Sequence, residues 1–337
     1  MNPRFIIQKE AERSGFQYVR FSQAHPAPRT QEFEAFIAQG HHGTMDYLSR
    51  GIEARRDLSC ILPNVQTVAV LGMNYWHLAP PDPGGLTGRV SSYAWGRDYH
   101  NLAGKRLRKF VKRLQEEMPD IGMGWSLDTR PVLERGWAEQ AGLGFVGKNC
   151  CSIVPGTTSY LFLATLFLDV EIPHDSPLGD HCGRCRQCLD RCPTNAFVGP
   201  HQLDARRCIA YLTIENRGDI PEHLRAEMGR WVFGCDECQD ICPHNHAPDP
   251  SNEHEFAARP GHAFLDLEWV LRTDDDTLRE HFNGSPIGRA RPIGLKRNAA
   301  VVLGNLGDPA ARPALLQALS HPSSIVQSHA RWALERL

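Results

Sequence analysis

Eight of the eleven cysteines lie between positions 182 and 242, and their spacing constrains this chain more than any other feature. The first run reads Cys182-x2-Cys185-x2-Cys188-x3-Cys192 and is followed by Pro193. That is the ligand spacing of a bacterial ferredoxin holding [4Fe–4S] clusters. The second run, Cys235-x2-Cys238-x3-Cys242 with Pro243, is the same motif without its first cysteine. Val232 stands in that place, and Cys208 is the spare thiol that would complete the set. In two-cluster ferredoxins the fourth cysteine of each run crosses to the other cluster. The rule assigns Cys182, Cys185, Cys188 and Cys242 to one cluster, and Cys192, Cys208, Cys235 and Cys238 to the other. A chain so equipped moves electrons one at a time.

Other uses of these thiols fit less well. Disulfides suit secreted chains, whereas the start MNPRFIIQKEAERSGF is charged too early for a secretory signal. Two zinc sites would match the ligand count but not the x2, x2, x3 run ending in proline. Cys60, Cys150 and Cys151 lack ligand spacing and read as small buried hydrophobes. The longest apolar run, Tyr160 to Leu168, is too short to span a bilayer. A reducing cytoplasm, no membrane and a monomeric chain are the expectations. The formal net charge of −2 means that any nucleic-acid contact must come from a local patch.

A length of 337 residues allows two domains, or one with a built-on module. Residues 1–50 read as helical, with Phe33, Phe36 and Ile37 on one face. Val65–Met73 and Tyr160–Val170 read as buried strands, and Lys105–Met118 and Pro131–Ala141 as helices. The expected architecture is an α/β domain over 1–175, a ferredoxin-like two-cluster segment over 176–255 and a helical tail over 256–337. The tail repeats itself: Ala299, Leu303 and Leu306 match Ala330, Leu334 and Leu337 after 31 positions. That is a HEAT-like helical pair, too short to stand alone, which must pack on the cluster segment.

Three further segments carry two readings each. Arg289, Arg291, Lys296 and Arg297 lie together without an acidic residue from Ser285 to Asn305, as a phosphate-backbone site or a solvated helix start would. Asp128, before Pro131, reads as a helix cap, or as a buried acid of raised pKa that protonates a departing oxygen. Ser91 to His100 is rich in rings that could line a flat cofactor or fill a core. Asp98-x-His100 approaches a motif that supplies histidine to cobalt, but its glycine, Gly104, comes one residue late. His100 is therefore not assigned as a cobalt ligand. The turn Gly142 to Asn149 fits neither dinucleotide nor phosphate-loop spacing.

Taken together these segments resemble the epoxyqueuosine reductases along almost the whole chain. The markers are Gly96-Arg-Asp-Tyr-His100, Asp128 with Pro131-Val-Leu-Glu134, Ala141-Gly-Leu-Gly144, Gly147-Lys-Asn149, the eight cysteines, Tyr211-Leu-Thr213 and Leu295-Lys-Arg-Asn298. The resemblance implies a cobalamin-dependent reductase that opens the epoxide of epoxyqueuosine at the tRNA wobble position. Two [4Fe–4S] clusters would feed the cobalamin. Asp128 would be the proton donor. Arg56, Asp98, Asp128, Lys148, Ser152, Tyr211 and Thr213 would lie around the corrin or substrate. Arg217, Arg289, Arg291, Lys296 and Arg297 would hold the anticodon stem-loop, and an unidentified low-potential donor would supply electrons. The cysteine spacing would equally suit a reductive dehalogenase acting on a small molecule. A non-enzymatic electron carrier would leave most of the chain idle, and a zinc-bearing helical scaffold is a further alternative.

Overall fold

The computed structural model describes residues 2–337. Its N-terminal half is built on a four-stranded sheet, in the spatial order Tyr18–Gln23, Thr67–Asn74, Leu161–Leu168, Met123–Ser126. Every residue of Thr67–Asn74 is buried, because both faces of the sheet are covered. Alternate side chains point to opposite faces. Ala69, Leu71 and Met73 therefore meet Ile7, Leu107 and Phe110 from the helices Pro3–Arg13 and Tyr99–Glu117. Val68 and Val70 meet Leu58 and Trp137 in a second core.

Strands and helices alternate along the chain as expected, but each strand pair is antiparallel, so this half is a mixed α and β layer of the α+β kind. The strand Tyr18–Gln23 replaces helix in a segment expected to be helical; it hydrogen-bonds Thr67–Gly72 in register. The helix expected from Pro131 begins only at Glu134. Ahead of it, Thr129 N–H donates to Leu127 O (2.7 Å) and Val132 N–H to Arg130 O (2.8 Å), tight turns that a helix cannot contain.

A second sheet ties the chain's segments together. Thr87–Val90 lies between Trp231–Phe233, which runs parallel to it, and Phe264–Asp266, which runs antiparallel. The C-terminal helix Arg291–Leu306 packs against Ser324–Leu334, with the repeated Ala299 and Ala330 both fully buried. Gly304 permits that approach, since a Cβ there would sit 2.8 Å from Ala333 Cα. The tail shares one continuous core with Leu212 and Val232 of the cysteine segment, which is how a two-copy helical repeat gains its stability.

Candidate active site

Beside the four-stranded sheet, against its strand Leu161–Leu168, lies a cleft of about 1480 Å³ lined by residues from Arg29 to Leu295. Phe33, Phe36 and Tyr47 form one wall, Asp98 to His100 and Asp128 to Gly136 another. Cys150, Cys208 and Tyr211 lie on the side of the cysteine segment, and Arg289 and Arg291 at the base of the helical tail. Of the ring-rich segment, Tyr93 and Tyr99 line the cleft, while Trp95 is core and donates its indole N–H to Val90 O (2.7 Å).

Asp128 sits on the loop between the strand Met123–Ser126 and the helix Glu134–Gln140, with a backbone φ of +57°. It caps no helix; Leu133 occupies that position. Tyr99 hydroxyl donates to Asp128 Oδ2 (2.5 Å), and His100 Nε2 lies 3.3 Å from the same oxygen. The other ring nitrogen, Nδ1, is 2.9 Å from Asp98 Oδ1. His100 is thus held between two carboxylates. Burial opposes its charge, but the two acidic neighbours outweigh burial and push its pKa up to about 9. The hydrogen bond from His100, helped by that from Tyr99, holds Asp128 below the usual carboxylate range. The expected raised pKa at Asp128 is therefore corrected: the resident proton is on the imidazole. Burial instead raises Glu134, to about 7. Glu134 Oε1 accepts from Ser126 Oγ (3.0 Å) and from Asp128 N–H (3.3 Å).

The eight cysteine sulfurs form two groups. Cys242 and Cys182 pack together beside Phe145, and Cys182, Cys185 and Cys242 all raise the pKa of Cys188 behind its burial. Cys208 feels Cys192, and Cys235 and Cys238 feel Cys208. The short helices Gln187–Arg191 and Glu237–Asp240 pack against each other between the groups. Backbone N–H groups already point at the sulfurs: Lys148 at Cys182, Ala210 and Tyr211 at Cys208, Glu237 at Cys235, His244 at Cys242. Ala196 N–H donates to Cys192 Sγ (3.3 Å). Burial raises Cys182, Cys188, Cys208, Cys235 and Cys242, and a hydrogen bond with Cys151 followed by burial raises Cys238, so bound cations would favour the thiolate form of these sulfurs. The donor set fits two iron–sulfur clusters.

Several residues expected at the corrin, substrate or tRNA lie elsewhere. Arg56 is on the surface, paired with Glu34 and Glu53; the neighbouring Arg55 lines the cleft instead, stacked on Phe33. Lys148 Nζ donates to Gly183 O (2.6 Å) and Cys185 O (2.8 Å), so it braces the first cysteine loop. Thr213 is fully buried, its hydroxyl donating to Ile209 O and accepting from Gly234 N–H. Lys296 is buried against Asp275 (2.8 Å). Arg297 is buried too, donating to Leu212 O, Asn216 O and Gly218 O. Neither of these last two can reach a phosphate. Arg217 donates to Ala290 O, and Arg289 pairs with Glu215 at the cleft rim. Tyr211 hydroxyl accepts from Thr44 N–H (2.9 Å) and anchors the loop above the cleft. Ser152 is buried with an unpartnered hydroxyl, next to Val146, its strand partner, which lines the cleft.

The residues that sequence reasoning missed are Tyr99, His100 and Glu134 as partners of Asp128, and the cleft arginines Arg50, Arg130 and Arg135. The only signal for the first was Asp98-Tyr-His100 at a helix start, where Asp98 caps His100 N–H (2.9 Å).

Known proteins resemble this chain throughout. The family model for a 4Fe-4S double cluster binding domain matches residues 181–245. The one described as epoxyqueuosine reductase QueG, DUF1730 matches 55–129, and the PBS lyase HEAT-like repeat matches 295–321. The epoxyqueuosine reductase of Pseudomonas aeruginosa is 40% identical over 335 residues, covering 96% of this chain and 91% of its own. That of Xanthomonas campestris is 37% identical over 334 residues, covering 97% and 94%. A crystal structure of an epoxyqueuosine reductase with an epoxyqueuosine-modified tRNA-Tyr stem loop matches with a TM-score of 0.91 at 28% identity, covering 99% of this chain and 89% of that one. The Bacillus subtilis enzyme, solved with the loop of its catalytic aspartate swung out of the active site, matches with a TM-score of 0.91 at 27% identity, covering 99% and 90%.

Proposed function

The chain belongs to the epoxyqueuosine reductase family, and from that we propose that it removes the epoxide oxygen of epoxyqueuosine at the tRNA wobble position, leaving the cyclopentene ring of queuosine. One observation carries the reading most directly: Cys208, from the cysteine segment, and Asp128, an acid–base group, line the same cleft. Electrons and protons can therefore meet at one substrate.

Cys182, Cys185, Cys188 and Cys242 hold the outer cluster, near the exposed 183–187 loop, which takes electrons from an external low-potential donor. Cys192, Cys208, Cys235 and Cys238 hold the inner one, which faces the cleft through Cys208. The sulfur groupings described above support that division. The cleft also suits a corrin, with the rings of Tyr93 and Tyr211 beside it and the orphaned Ser152 hydroxyl behind its wall as a donor. When bound, cobalamin supplies a low-potential centre that gathers single electrons for delivery to an epoxide carbon. Asp128 gives a proton to the oxygen that leaves, because an alkoxide is a poor leaving group near neutral pH. Arg289 and Arg291, with Arg217 bonded to Ala290 O beside them, hold the anticodon stem-loop, and Arg50 and Arg130 extend the cationic lining of the cleft. The wobble nucleotide is splayed into the cleft at modest cost, since loop bases are unpaired. Among the described residues no helix is long and apolar enough to cross a membrane.

The test is incubation of cluster-reconstituted protein with epoxyqueuosine-containing tRNA, cobalamin and a strong reductant. Nucleoside mass should fall by one oxygen. An unchanged nucleoside, with both clusters and corrin bound, would refute the reading.

A further inference from the structure

Taking an epoxide to an alkene consumes two electrons and two protons. Cleavage of the first C–O bond leaves an alkoxide, which takes one proton. Cleavage of the second closes the C=C bond and releases the oxygen as hydroxide, which takes the other to become water. The electrons come through the cysteine-bound relay, so the open question is the protons. Asp128 holds at most one, and its surroundings keep it ionised.

We propose that His100 reloads Asp128 during each turnover, passing the proton on its Nε2 to Asp128 Oδ2 while Asp98 steadies the imidazole through Nδ1. This rests on the epoxide-reduction reading. The geometry is continuous: Asp98 Oδ1 to Nδ1 is 2.9 Å, and Nε2 to Asp128 Oδ2 is 3.3 Å. Tyr99 hydroxyl fixes the same Asp128 oxygen at 2.5 Å, and its ring stacks on Phe162 with centroids 4.2 Å apart. The receiving carboxylate is thereby locked in place. His100 itself is about one-third exposed, so solvent can restore its proton after each transfer. The titratable and charged groups around it are Asp98 and the neutral Tyr99 hydroxyl on its own segment, Asp128 from the facing loop, Glu134 behind Asp128, and Arg289 from the tail. The two adjacent carboxylates prevail over burial, and the imidazole is charged at neutral pH. His100 acts through Asp128 and is a positioning and proton-relay residue.

Two measurements test this on the full-length, cluster-loaded protein. Side-chain nitrogen NMR should find His100 doubly protonated at pH 7 and titrating near pH 9, the value to which its pKa is pushed. Single-turnover queuosine formation in the wild type should then decline above about pH 9. His100→Gln, which keeps hydrogen bonds but cannot carry the charge, should be slower by roughly 10²-fold and lose that alkaline limb. Asp98→Asn leaves the imidazole in place and should move the limb downwards by about one pH unit, so the proposal does not depend on one variant folding. A neutral His100 at pH 7 would overturn the relay, as would His100→Gln retaining the wild-type rate and profile. If the wild type itself left the epoxide intact, the functional reading would fall first, a result distinct from either.

Discussion

At Asp128 the backbone adopts a left-handed conformation that L-residues reach at a cost of roughly 1–2 kcal/mol. Glu134 offsets part of this by accepting the Asp128 N–H. Glu134→Ala should free the loop, destabilise the protein by about 1–3 kcal/mol in chemical denaturation and lower the single-turnover rate. Glu134→Gln should preserve the loop, because an amide oxygen accepts the same bonds. The two also differ in pH dependence. Burial raises Glu134 to about 7, so its contribution to stability is complete below the ordinary carboxylate range and is lost as pH rises through 7. Thermal melts of the wild type should therefore weaken between the ordinary carboxylate range and about pH 7, by more than those of Glu134→Gln over the same range. Asp128→Asn should retain both clusters and tRNA binding yet lose 10²-fold or more in rate, read by nucleoside mass analysis. The importance of Asp128 was legible from its place in a motif. Its charge state was not, because that depends on Tyr99 and His100, nearly thirty residues away.

The helix Arg291–Leu306 carries Lys296, Arg297 and Asn298 inward rather than outward. Arg297 ties Leu212, Asn216 and Gly218 to the tail, and Asn298 Nδ2 donates to Thr213 O (2.8 Å) and Val232 O (2.9 Å). The helix is therefore bolted to the segment that follows Cys208. Arg297→Met would strand those carbonyls and should cost about 3 kcal/mol in denaturant unfolding. Arg291→Ala, at the cleft, should instead leave stability unchanged and weaken stem-loop binding in a salt-dependent manner. Sequence alone grouped these cations as one basic cluster, because charge pattern does not tell a phosphate from a main-chain carbonyl contributed eighty residues away. The hydrophobic repeat was legible in the same helix, since Ala299 and Ala330 report only a local requirement for close approach.

Across the whole molecule, the turn Gly147–Asn149 joins the two halves of the electron path. Lys148 holds the first cysteine loop, and Asn149 Nδ2 donates to Cys238 O (3.0 Å) in the second. Cys208→Ser should remove the cleft-facing cluster, halve the iron content and abolish reduction while the outer cluster keeps its signal; iron analysis and low-temperature paramagnetic resonance read both. The cysteine spacing could be read from sequence because each run supplies its own local bite. The cleft could not, because its walls come from positions 29 to 295.

The strand Thr87–Val90 has its two neighbours at 231–233 and 264–266. A nascent polypeptide emerging from the ribosome must therefore leave this early strand without either neighbour until about seven-tenths of it has been synthesised, and without the second until nearly four-fifths. Metal loading, which depends on the thiols beside that sheet, becomes a late event of biogenesis, and a message truncated before the tail would yield a product that cannot close.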